Sequence, residues 1–102
     1  MTIRIPKEIE VGGYAFEVRC DEETTQHLIA AGHDGEHSYA RKILRFRNDL
    51  PQQEITNLFL HEILHAIDGQ YCASELEEKD ILRLANGLHQ VLKQLGISFE
   101  LD

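Results

Sequence analysis

Apolar and polar residues alternate on both sides of Gly12-Gly13 in EIEVGGYAFEVRC, residues 8–20. A period of two marks strands with one buried face. A Gly-Gly pair between two such runs predicts a hairpin, because both residues take positive φ without steric cost. Strands are therefore expected near 8–11 and 14–20. Asp21 precedes EETTQHLIAAG. A capping side chain, an acidic first turn and Gly32 as a stop predict a short helix over 22–31. HDGEH, residues 33–37, has the composition of a loop. In SYARKILRFRN, residues 38–48, Ile43, Leu44 and Phe46 lie between basic residues. They predict a strand over 43–48, with a short partner near 37–41.

From Gln52 the period changes. Ile55, Leu58, Phe59, Ile63, Ala66 and Ile67 recur at steps of three and four, and Leu60 and Leu64 widen the apolar surface. This is a long helix expected to be largely buried. Asn48-Asp49-Leu50-Pro51 leads into it, with Pro51 suited to the first helical position, and Gly69 is the expected residue just past its end. After a short connection over 70–74, Ser74 with Glu77 reads as a capping box for a second helix. Its apolar stripe is Ile81, Leu84, Ala85, Leu88, Val91, Leu92 and Leu95, and Gly96 ends it. ISFELD, residues 97–102, is expected to fray.

Length and composition fit one domain over residues 1–102, with no repeat or linker. The net charge of -8 sets the chain against phosphate backbones, so no nucleic-acid partner is expected. The same charge favours divalent cations. No run is apolar enough to span a bilayer and the N-terminus has no signal-peptide pattern, so no membrane partner is expected. Cys20 and Cys72, two thiols far apart, fit reduced cysteines and a cytoplasmic location.

The chemistry concentrates in FLHEILHAIDG, Phe59 to Gly69. His61 and His65 are four apart on a helix, so their rings project from one face and can share one ion. Neutral imidazole is a good zinc ligand, and Glu62 can reach the open coordination position as general base. Zn2+ is thus the expected cofactor. The longer pattern HExxHxxGxxH is broken, with Asp68 in the glycine position and Tyr71 in the last histidine position. Asp68 is roughly 10 Å along the axis from His61, too far to join the same ion, but able to orient His65. The third ligand is then expected from the second helix, among Glu75, Glu77, Glu78 and Asp80. Glu78 shares the helical spacing of Ile81, Leu82, Ala85 and Leu92 and is chosen, with Glu77 second.

HEILHAID, followed closely by LEEKDILRLANGLHQVLKQLG, resembles the small zincin-like proteins common in phages and prophages, similar to the ImmA/IrrE metallopeptidases and the minimal gluzincins. The resemblance implies an α+β fold with a three- to four-stranded sheet over an active-site helix and a glutamate-bearing helix. It also implies zinc held by His61, His65 and a downstream acid, with Glu62 as general base. The spacing from His65 to Glu78 is short for the larger peptidases. The expected function is zinc-dependent hydrolysis of a peptide or protein substrate; the alternative is a non-enzymatic, zinc-stabilised interaction module. The oligomeric state is not fixed by these features. Tyr71 and His89 are candidates to steady a tetrahedral intermediate, against readings as a packing tyrosine and a helix histidine. His27, His33 and His37 read as solvated histidines. KILRFR is a candidate sheet edge for an extended substrate. Glu100 and Asp102 are further potential ligands were the tail to fold back.

Overall fold

The computed structural model describes residues 1–101 and is α+β. The predicted hairpin is present, with β2 (Glu8–Val11) antiparallel to β3 (Tyr14–Arg19). Its turn glycines, Gly12 and Gly13, have φ of 62° and 83°, the sign a two-residue hairpin loop needs. Helix α1 (Glu22–Ala31) follows, capped by Asp21, whose carboxylate accepts the Thr24 N–H at 2.7 Å. That hydrogen bond holds the Asp21 carboxyl below the usual range. Asp21→Ala is expected to cost about 1 kcal/mol in urea unfolding near neutral pH. The sign follows from the depressed folded pKa. The cap contributes above the unfolded value of 3.8 and is lost as pH falls through the folded value. Wild type and variant should therefore converge in strong acid.

β4 (Gly35–Ser38) and β5 (Ile43–Phe46) complete a four-stranded sheet of order β2-β3-β5-β4. β5 runs parallel to β3, and β4 is antiparallel to β5. Two expectations are corrected here. Most of HDGEH is strand, because Gly35, Glu36 and His37 pair with Phe46, Arg45 and Leu44. The basic strand KILRFR is central, since β4 covers the side on which it would have been an edge.

Helix α2 (Gln52–Tyr71) lies on the sheet. Ile55 and Phe59 join Ile5, Val18 and Phe46 in one buried cluster, and Ala66 joins Val11, Phe16 and Leu44 in a second. Pro51 occupies the N-cap, one position before the one expected. Gly69 does not end the helix. A Cβ there would lie 2.0 Å from Cε1 of Tyr39, so glycine admits the Tyr39 ring against the helix backbone. Nor does Ser74 start the next helix. The Asp68 carbonyl accepts the N–H groups of Cys72 and Ser74, and its carboxylate accepts that of Leu76. Ala73 and Ser74 are thereby held at φ of 53° and 56°. Helix α3 (Glu78–Gln94) begins only after this turn, with the capping box at Glu77 and Asp80.

Within the tail, residues 98–100 form a strand rather than fraying. β6 (Ser98–Glu100) pairs in parallel with β1 (Thr2–Arg4), a strand not foreseen. The Thr56 hydroxyl donates to the Phe99 carbonyl at 3.0 Å and accepts the Phe99 N–H at 3.2 Å, fixing β6 on α2. Glu100 is thus engaged with Arg4 in strand register, and Asp102 lies outside the described residues. Cys20 and Cys72 are free thiols, and no described helix is long and apolar enough to cross a membrane.

Candidate metal centre

Four elements meet at one cavity of about 700 Å³: α2, the first residue of α3, edge strand β4 and its neighbour β5. His61 and His65 point from α2 into it, one turn apart. Glu78 enters from α3, which the Asp68-held turn folds back beside α2. His61 Nε2 is 2.7 Å from Glu78 Oε1, His65 Nε2 is 3.0 Å from Glu78 Oε2, and the two Nε2 atoms are 3.2 Å apart. Donors on a tetrahedral zinc with bonds of about 2.0–2.2 Å lie roughly 3.3–3.6 Å from one another. These nitrogens and oxygens are therefore gathered at nearly that spacing, with both ligating faces of imidazole turned inward. Among the described residues this is the one group of three or more His, Cys, Asp or Glu whose ligand atoms converge in this way. Burial, then the neighbouring His37, push the His65 imidazole below its ordinary value, towards the neutral form a metal ligand needs.

Glu62 sits beneath β4, only 3% exposed. Its Oε2 is fully buried and makes no hydrogen bond among the described residues; the nearest base, His37 Nδ1, is 3.6 Å away. An unpaired buried carboxylate oxygen is costly, and here it lines the same cavity as the two histidines. Its other oxygen lies 2.8 Å from where a Cβ on Gly35 would stand, so glycine in β4 is what lets this carboxylate fit under the strand.

Two further site residues escaped the sequence reading. His37, read as a solvated histidine, stacks on His65 at 3.9 Å between ring centroids with planes 15° apart. Tyr39 meets His37 edge-on at 5.2 Å. The signal for His37 was its alternation with Gly35 on a strand, hidden by a loop-like composition. Glu36 is engaged with His33, which holds its carboxyl below the usual range, and with Arg45. The remaining candidates lie elsewhere. Asp68 is buried and spends its carboxylate on Leu76, not on His65. Tyr71 is 69% exposed and His89 pairs with Asn57 on another surface, so neither lines this cavity. Glu75 is exposed, and Glu77 and Asp80 serve the α3 cap.

No family model, no curated protein and no solved structure matches this chain.

Proposed function

We propose that this chain is a minimal zinc-dependent peptidase of gluzincin type, with His61, His65 and Glu78 as metal ligands and Glu62 as general base. The observation that carries the reading is the buried Oε2 of Glu62, with no hydrogen bond among the described residues, beside the converged donors. A closed structural site needs four protein ligands and no base, whereas the described residues bring three ligands and one spare carboxylate. When bound, zinc supplies Lewis acidity and a water acidified towards about pKa 7. Glu62 takes a proton from the attacking water and returns it to the leaving amine. His37 braces the His65 ring by stacking. The outer edge of β4, at Gly35–Ser38, offers its backbone to an extended peptide or protein segment. The unpaired thiols support a cytoplasmic location.

Metal analysis and a peptide-library assay test the reading together. Wild type is expected to carry one zinc per chain and to cleave peptides, to stop when chelated and to recover when zinc is returned. Metal uptake with no hydrolysis of any library member would instead leave the interaction module.

The fit of Glu62 under β4 gives a sharper check. In Gly35→Ala the new methyl stands 2.8 Å from Glu62 Oε1 and 3.2 Å from the Arg45 carbonyl. Glu62 Oε1 ends a flexible side chain beside the open cavity, so the carboxylate yields into that space and leaves its working position. Zinc content is expected to stay near one per chain while kcat/KM falls on the order of 10- to 100-fold. An unchanged rate would show that Glu62 need not lie where the structure puts it.

A further inference from the structure

Helix α3 carries an unpartnered apolar face. Ile81 and Ala85 are fully buried, but Leu84, Leu88, Val91 and Leu95 are 50%, 39%, 52% and 67% exposed. This second line lies roughly a quarter-turn round the helix from the first, so the domain covers only part of the apolar stripe. The exposed line leaves an apolar area on the order of 400 Å² open, a size that marks interaction surfaces on soluble proteins.

We propose that α3 is the face through which two copies of this chain pair, as an antiparallel helix contact about a two-fold axis. Three observations select a second copy as the occupant. First, the steps along the line are four, three and four, the spacing of a helix–helix seam. They read the same backwards, so an axis between Leu88 and Val91 sets Leu88 on Val91 of the second copy and Leu84 on Leu95. An isologous contact needs that self-complementarity. Second, the chain has 18 Asp and Glu, yet none between Ile81 and Phe99. Arg83 and Lys93 lie on the polar side of the helix, away from the line. Two molecules of net charge -8 can meet here without opposing carboxylates. Third, Gly87 lies beside Leu84 and Val91, and an added Cβ would meet nothing within 4 Å among the described residues. A mid-helix glycine destabilises relative to alanine, and the single copy gives no steric reason for it. Close approach of a second helix does. Two such patches together bury about 800 Å², less than a stable specific interface needs, so the pairing should be weak, reversible and concentration-dependent.

Sedimentation equilibrium of the full chain tests this. Between about 5 and 500 µM, the mass of wild type is expected to rise from 11.7 kDa towards twice that value. The double variant Leu88→Glu, Val91→Glu should stay at the single-chain mass throughout, with an unchanged circular dichroism spectrum, because both side chains are solvent-exposed in one copy. Gly87→Gln, a better helix former that fills the approach, should associate at least about tenfold more weakly while gaining thermal stability at dilution. A wild type of single-chain mass at every concentration overturns the proposal, as does a dimer that survives the double glutamate change. So does a monomer that binds anionic phosphatidylserine vesicles through the same leucines, which would make the face a membrane-docking surface.

Discussion

Replacing Glu62 by glutamine is expected to lower kcat by about 10²- to 10⁴-fold while leaving zinc at one per chain. Glutamine has the shape of glutamate, so it fits under Gly35 with the same contacts. What it lacks is the ability to hold a proton from water at Oε2, the buried oxygen with no hydrogen-bond partner among the described residues. Folding should not suffer. A carboxylate that is 3% exposed with one oxygen unpaired is a burial cost in the wild type, and the neutral amide relieves part of it. The variant is thus expected to melt at or slightly above the wild-type temperature. The readouts separate the roles: metal content reports His61, His65 and Glu78, melting reports packing, and turnover reports proton transfer. Full activity in the glutamine variant would remove Glu62 as the base. Loss of zinc there would place the carboxylate in the coordination sphere instead.

What the sequence made legible is what local spacing determines. The hairpin at Gly12-Gly13, the cap at Asp21 and the alignment of His61 with His65 each depend on residues within four positions of one another. All three appear as expected. What it hid depends on long-range competition. Asp68 takes the N–H groups of the following turn, which moves the start of α3 from the Ser74 cap to Glu77. β1 and β6, three residues each, are strands only because each finds the other across the length of the chain. β4 is strand because β5 offers it a partner, despite a sequence of turn-forming residues. That pairing brings Gly35 and His37 over α2, so the half of the site nearest Glu62 follows from sheet order and was invisible to periodicity. The α3 stripe carries the opposite lesson. Its apolar spacing was readable, but spacing does not say which line of a stripe the domain itself will cover.

Glu78 and Glu77 are adjacent, and their alanine variants are expected to fail in different ways. Glu78 brings both carboxylate oxygens to the histidines, at 2.7 Å and 3.0 Å, although its side chain is otherwise open to solvent. Removing it leaves His61 and His65 as the only described ligands. Zinc affinity should then fall by more than the roughly 10- to 100-fold typical of losing an outer-shell partner, with hydrolysis falling alongside. Glu77 instead closes the N-terminus of α3 through a capping box: its carboxylate accepts the Asp80 N–H, the contact that alanine removes, while its own backbone N–H donates to Asp80 Oδ2 at 3.1 Å. Glu77→Ala should cost about 1 kcal/mol of stability and leave zinc affinity within a few-fold, because the Asp68–Leu76 hydrogen bond still positions the first turn of α3. Competitive titration against a chelating dye measures the first effect, and urea unfolding of the apoprotein measures the second. The contrast distinguishes a ligand from a neighbour that merely holds the ligand's helix. If the two variants exchanged phenotypes, α3 would have to start its helix one residue earlier when zinc is bound, and the third ligand would be Glu77.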